Sequence, residues 1–269
     1  MPGSWDERLH AMDYLAYAYL QSGQDAKAQQ VWSEVKAINR VDPPNFKVAY
    51  SVTAIPARIL LERRAWEEAA SLELPANVLG LAPLKDFQWA QAHIHFARAV
   101  GAARSGKPTL ARHETTALGA IERALVVPAG TYDWKKQVSI SRQVAEAWLA
   151  YAEGETGKAI RMMGDAADLD DQTEKHPVTP GAILPAREQL GELWLELGKP
   201  VDALAAYEAS LKRSPRRLAG LYGAARAANL AGDSANAARY FSDLVDVTKS
   251  SDGTLREVKE ARSFAASVP

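Results

Sequence analysis

The stretch REQLGELWLELGKPVDALAAYEASL (187–211) decides the fold, because a second copy of its pattern follows it, LYGAARAANLAGDSANAARYFSDLV (221–245). At an offset of 34 residues, Gly191 meets Ala225, Gly198 meets Gly232, Ala203 meets Ala237 and Tyr207 meets Phe241. The start of the chain fits the same frame: Ala16, Tyr19, Gly23, Ala28 and Trp32 take the places of Gly191, Trp194, Gly198, Ala203 and Tyr207. Within each copy the apolar residues recur at helical spacing, as in Leu190, Leu193, Trp194 and Leu197, or Leu9, Met12, Leu15, Ala16 and Tyr19. Runs of Val and Ile with two-residue alternation are scarce, so strands are not expected.

The shared positions have a physical logic. Small residues at the eighth and twentieth places let two antiparallel helices approach closely. The aromatic at the twenty-fourth place, with the large residue at the eleventh, fills the groove between successive hairpins. Glycine after the first helix takes the backbone conformation that ends it. This spacing resembles the tetratricopeptide repeat.

Looser copies extend the frame along the chain. Helix-ending positions run Gly23, Ala65, Gly106, Gly154, Gly198 and Gly232, at intervals of 42, 41, 48, 44 and 34. Small residues follow five places later, at Ala28, Ala70, Ala111, Ala159, Ala203 and Ala237. The excess over 34 falls in the linkers at 40–46, 74–85, 126–133 and 171–185. No composition shift marks a boundary, so residues 1–269 read as a single all-α domain. Its expected hairpins span approximately 6–39, 46–73, 86–124, 133–170, 182–213 and 216–248, with a short final helix at about 254–264. Pro56 predicts a kink or a late start in the third main helix.

The likeness goes beyond the repeat. HAMDYLAYAYLQSGQDAKA (10–28), AIPARILLERRAWEEAA (54–70), HFARAVGAARSGK (95–107), EKHPVTPGAILPARE (174–188) and GLYGAARAANLAGD (220–233) resemble a family of bacterial tetratricopeptide-repeat proteins. The resemblance covers nearly the whole chain. It implies a right-handed superhelical solenoid of about six hairpins, and the C-terminal half of a longer, often exported protein. It implies no particular activity.

Bulk properties narrow the function classes. A net charge of −1 with 24% charged residues gives no basic field for nucleic acid or anionic membrane. The chain has no cysteine, so disulfides, thiol catalysis and thiolate metal sites are absent. No apolar run reaches the roughly 18–20 residues that span a bilayer. The opening MPGSWDERLH lacks a charged segment followed by an apolar one, so no signal peptide is expected in it. Met1 to Ser4 read equally as an artificial junction. A bacterial cytoplasmic or periplasmic location fits both.

Candidate chemistry is thin. GAARSGKPT (101–109) resembles a phosphate-binding loop, but Pro108 stands where the magnesium-binding hydroxyl belongs. GKP recurs at 198–200 with alanine five places after the glycine in both copies, so both are turns between paired helices, with proline at the first helical position. In HIH (93–95) the two histidines point to different helix faces, so they read as packing or solvent-facing rather than as metal ligands. His10 and His113 fare no better. The loop EKHPVTPG (174–181) suits either a binding loop or a stiff, extended spacer between the fourth and fifth hairpins; its prolines favour the spacer. The acid pairs Glu67/Glu68 and Asp170/Asp171 read as solvated helix ends. No Gly-x-Ser-x-Gly elbow or His-Glu-x-x-His motif occurs. No catalytic residue, cofactor or metal is assigned.

What remains is a groove. A tetratricopeptide superhelix turns one face of each first helix to its concave side, where such proteins bind extended peptides or partner helices. The register places Asp13, Tyr17 and Gln21 there in the first unit, and His93, Phe96 and Arg104 in the third. It adds Trp148 and Tyr151 in the fourth, Glu188, Glu192 and Glu196 in the fifth, and Tyr222, Arg226 and Asn229 in the sixth. The lysine and asparagine that clamp a terminal carboxylate in some repeats are missing, with Val144, Trp148, Tyr222 and Arg226 at those positions. The sequence therefore points to a non-enzymatic scaffold for a protein or peptide partner, or for the missing N-terminal half of the same protein. Two alternatives stand beside it. One is a small-molecule or weak hydrolase site in a closed cavity lined by Phe96, Trp148 and Tyr151. The other is self-association through an uncapped first hairpin, giving a homo-oligomer.

Overall fold

A computed structural model describes residues 4–267. Fourteen α-helices occur among them: α1 (Asp6–Gln21), α2 (Asp25–Lys36), α3 (Phe46–Glu62), α4 (Trp66–Ala70), α5 (Ala76–Leu81), α6 (Ala92–Arg104), α7 (Pro108–Ala124), α8 (Trp134–Ala152), α9 (Thr156–Asp171), α10 (Ala186–Glu196), α11 (Pro200–Arg213), α12 (Leu218–Leu230), α13 (Ser234–Val247) and α14 (Arg256–Ser267). The one pair of strands is minimal, Ser4–Trp5 beside Val41–Asp42 in parallel register. Adjacent helices pack as pairs: α1 with α2, α3 with α4, α6 with α7, α8 with α9, α10 with α11 and α12 with α13.

The turns inside the pairs follow from local chemistry. Gly106 and Gly198 take the left-handed backbone conformation that closes a helix, and Pro108 and Pro200 then open α7 and α11 as their first residues. The asparagine or aspartate side chains of Asn45, Asp133 and Asp233 accept backbone N–H bonds at the starts of α3, α8 and α13. Between pairs, close approach is bought with small side chains. A Cβ on Gly101 would lie 2.5 Å from the backbone nitrogen of Ala70, so α6 rests directly on α4. Tyr207 lies flat between two glycines: a Cβ on Gly191 would sit 2.9 Å from its ring and one on Gly223 2.1 Å from Cζ.

Three features depart from expectation. α3 starts on time and runs through Pro56, because it is buried along almost its whole length between α1 and α6 and packing outweighs one missing hydrogen bond. The linker 74–85 holds a helix of its own, α5; α4 is only five residues long, and Val78 and Leu81 of α5 fill the space it leaves beside α2 and α3. The second hairpin also turns one residue earlier than predicted. Its left-handed residue is Arg64 (φ 53°), not Ala65, and the fully buried alanine five places on is Ala69.

The first helices of the pairs lie along one side of the chain and meet in sequence, α1 on α3, α3 on α6 and α6 on α8, with further contacts from α8 to α10 and α10 to α12. α12 then returns to touch α1. The ends are tied as well: Asp252 donates its backbone N–H to Gly23 O and accepts one from Ala26, at 2.9 and 2.8 Å. Leu255 and Val258 pack near Gly23. The inner face is thereby closed on itself.

Candidate functional site

The centre of that inner face is ionic. Arg217, at the threshold of α12, donates through Nε to Glu188 Oε2 (2.9 Å) and through Nη2 to Glu62 Oε1 (2.9 Å) and Glu188 Oε1 (3.1 Å). All three side chains are almost wholly buried. Gln21 joins the same cluster, donating to Glu62 Oε1 at 3.0 Å and accepting the backbone N–H of Leu218 at 2.9 Å. The cluster thus links α1, α3, α10 and α12. Burial opposes the charge on Arg217, but the carboxylates of Glu188 and Glu62 outweigh it and hold the guanidinium protonated far above its ordinary range.

Next to it lies a second buried pair. Arg58 Nε stands 4.0 Å from Asp13 Oδ1, and neither of those atoms has a hydrogen-bond partner among the described residues. Burial pushes the Asp13 carboxyl up to about 6, with Arg58 only partly countering it. Tyr17 covers both arginines, its ring centre 5.3 Å from the Arg58 guanidinium and 6.0 Å from that of Arg217.

The remaining inner face is occupied by the segment between α9 and α10. Gly181 O accepts from Tyr50 Oη and Arg58 Nη2, both at 3.2 Å, and Ala182 O accepts from Arg58 Nη1 at 3.1 Å. His176 stacks on Trp134 (ring centres 5.1 Å apart, 20° between planes) and meets Phe46 and Tyr132 edge-on. Trp134 in turn stacks on Trp89 at 3.7 Å. Tyr132 Oη donates to Glu174 O at 2.7 Å. The segment does not run extended as its prolines suggested. It turns at 176–179, where His176 O accepts the Thr179 N–H at 3.1 Å, and Gly181 adopts a φ of 128° that favours glycine. Burial, then the Lys175 charge, lower the pKa of His176. Two spaces flank the segment. One, of about 50 Å³, borders Tyr50, His93, Trp134 and His176; the other, of about 290 Å³, borders Tyr17, Lys175, Pro180, Ala182 and Arg213.

The residues expected on an open groove are therefore mostly enclosed. Asp13, Gln21, Phe96, Trp148, Glu188 and Tyr222 are buried. Tyr17, His93, Arg104, Tyr151, Glu192 and Arg226 are partly covered, and Glu196 and Asn229 are exposed. The closure buries Asp13, Gln21 and Glu188, and neighbouring elements cover others, as α14 covers Tyr222. Trp148 donates Nε1–H to Gln189 at 2.9 Å, while Arg104 lies 4.1 Å over its ring and pairs with Glu192 and Glu196. Tyr222 donates to Glu260 of α14 at 2.7 Å. Asp13, Tyr17, Gln21 and Glu188 come together at the centre; Tyr151, Tyr222, Arg226 and Asn229 lie apart from it. Phe96 and Trp148 border different spaces, of about 50 and about 30 Å³, and Tyr151 borders neither of these two.

Two central residues, Arg58 and Glu62, escape the sequence frame because that frame is one residue late in the second unit. Counted back from Arg64, they hold the places that Tyr17 and Gln21 hold before Gly23. An arginine in a left-handed turn hides the signal that glycine gives elsewhere. Arg64 donates to Glu192 at 2.7 Å, so the side chain that costs the turn some strain also gains a partner.

Other candidates resolve locally. His93 pairs through Nδ1 with Thr53 Oγ1 at 2.9 Å, and burial, with Arg58 nearby, pushes its pKa down to about 3, so it is neutral. His95 meets Glu114 across its hairpin at 2.7 Å, an acidic partner that spacing along one helix could not reveal. Asp170 and Asp171 are not simply solvated: Asp170 accepts the Ala186 N–H at the start of α10, and Asp171 holds Arg187. Among the described residues no group of three His, Asp or Glu side chains could hold a metal ion, and no helix is long and apolar enough to cross a membrane. Compared with known proteins, the chain matches no family model and no curated protein.

Proposed function

We propose that this chain is a tetratricopeptide-repeat solenoid that acts as a scaffold, binding a segment of a protein partner through the inner face of its first helices without chemistry of its own. The observation that supports this reading is the chain's treatment of its own segment. Side chains of α3 take backbone carbonyls at Gly181 and Ala182, and an aromatic shelf built from Trp89 and Trp134 takes the His176 ring. Carbonyl capture plus an aromatic shelf is a general means of holding irregular polypeptide.

Selection of a random-peptide library on the immobilised chain tests the proposal. Enriched peptides should share a pattern and lose at least tenfold in affinity on Tyr17→Ala or Arg213→Ala, which alter the border of the 290 Å³ space. No enrichment, or equal affinity for both variants and the parent chain, would refute the reading.

A second reading, self-association through the first hairpin, has its own observation. Trp5, just before α1, and Tyr14 and Leu15 within it are exposed by 66%, 37% and 44%. Light scattering at high concentration should then show a dimer that Leu15→Glu dissociates; a monomer throughout would eliminate it.

A further inference from the structure

We infer that the segment 174–182 is a built-in competitor: it occupies the inner face in the place of a partner segment and leaves when that partner binds. This rests on the scaffold reading and names both its regulation and its ligand chemistry.

Three observations converge. First, the grip on the segment is of a transferable kind. Tyr50 and Arg58 bond main-chain carbonyls of Gly181 and Ala182, which any peptide possesses, Tyr50 meeting the Thr179 side chain as well, and His176 is held by ring contacts with Trp134, Phe46 and Tyr132 apart from a bond within the segment itself. Second, the fit is incomplete. Clefts of about 50 and 290 Å³, both partly open to solvent, border it and leave room for a larger occupant. Third, the gripping residues are left under-satisfied. Arg58 is wholly buried, but its Nε finds no hydrogen-bond acceptor, and Asp13 Oδ1 beside it finds no donor. Unmade hydrogen bonds on buried groups are costly, so a ligand that satisfies them gains over the resident segment.

The resident also specifies what displaces it. The partner segment carries a planar side chain, histidine or an aromatic, followed by a proline-stabilised turn. Five residues after the planar side chain comes glycine, because the carbonyl bonded by Tyr50 and Arg58 belongs to a residue at φ 128°. A donor or acceptor reaching Arg58 and Asp13 distinguishes the partner from the resident.

The test replaces residues 174–182 with a Gly/Ser stretch of equal length, leaving the buried Ile183 and Leu184 in place. The probe is a labelled peptide with the sequence EKHPVTPGA (174–182), blocked at both ends. The replaced chain should bind it at least tenfold more tightly than the parent chain does, and a peptide with alanine in place of the glycine should bind at least tenfold more weakly. A replaced chain that keeps its helical circular dichroism and cooperative melt but does not prefer the peptide overturns the inference. If the replaced chain fails to fold, His176→Ala with Gly181→Ala serves instead, both inside the segment, so that Tyr50 and Arg58 keep their grip for a partner. Amide exchange over 176–182 should then accelerate at least tenfold with α3 and α6 unchanged, and library-selected peptides should bind more tightly; unchanged exchange and affinity overturn it. Library peptides that bind parent and replaced chain equally sink the competitor alone, whereas no binding of any peptide to either sinks the scaffold reading with it.

Discussion

Two kinds of joint hold this molecule together, and they are built from opposite materials. Between neighbouring hairpins at the C-terminal end the joint is apolar and shaped: Tyr207 lies fully buried between Gly191 and Gly223. Where the chain returns on itself the joint is ionic: Arg217, Glu62, Glu188 and Gln21 meet with almost no access to water. The first joint connects residues only 16 positions apart, Gly191 and Gly223 on either side of Tyr207. The second connects α12 to α1 and α3, occurs once, and depends on charge partners that no single repeat contains. An apolar joint tolerates a wide choice of similar residues, whereas a buried ion pair that loses one partner leaves the other stranded.

The largest test of this contrast is at Arg217. Arg217→Met strands Glu62 and Glu188 and should cost about 3–5 kcal/mol in denaturant unfolding. Replacing Glu62, Glu188 and Arg217 together by Leu, Leu and Met should recover most of that loss, because the desolvation cost goes with the charges. A triple variant as unstable as the single one would show that the closure needs its ions.

On the apolar side, Gly223→Ala drives a methyl to within 2.1 Å of the Tyr207 ring. It should lower stability by about 3 kcal/mol, the upper end for overpacking, read as a fall in melting temperature. A change below about 0.5 kcal/mol would mean that α12 shifts at little cost.

A smaller effect depends on pH. The folded carboxyl of Asp13 titrates near 6, above its ordinary value of 3.8, so the native state holds this proton more tightly than the unfolded chain. Asp13's contribution to stability is complete below about pH 4 and declines as pH rises through 6. Asp13→Asn removes that decline, so the variant should gain on the parent chain by about 2 kcal/mol between pH 4 and 7. A pH-independent difference would place the Asp13 titration outside this window.

Smallest of all, Gly164→Ala in α9 meets nothing within 4 Å. It should stabilise by about 0.5–1 kcal/mol through helix propensity alone. With Gly223→Ala it separates glycines that admit a neighbour from glycines that merely lie in a helix, and equal effects at the two sites would abolish that distinction.

Much of the molecule was legible in the order of residues. The all-helical pairs, the GKP turns and the five glycine-closed hairpins follow from periodicity and from which residues tolerate left-handed backbone. The second unit was misread by one residue because Arg64 adopts that conformation without being glycine. The short α4 and the extra helix α5 were missed because a linker's helical tendency is weak until α2 and α3 offer it a surface. At the candidate site, Asp13, Tyr17, Gln21 and Glu188 were found by register, while Arg58 and Glu62 were lost with the slipped frame.

The sequence decided what recurs. Helix spacing, small residues at close approaches and turn chemistry are local, and each repeat states them again within 34 to 48 residues. Only the tertiary structure decided how the first helices meet. The angle between successive hairpins accumulates over the whole chain, so whether α12 returns to α1, and whether the inner face stands open or takes in the segment 174–182, depends on every linker at once. That is why Asp13, Tyr17, Gln21 and Glu188, placed on a groove by register, meet in the interior of a closed joint: position along the repeat fixes which side a residue faces, and the summed geometry of the repeats fixes what it finds there.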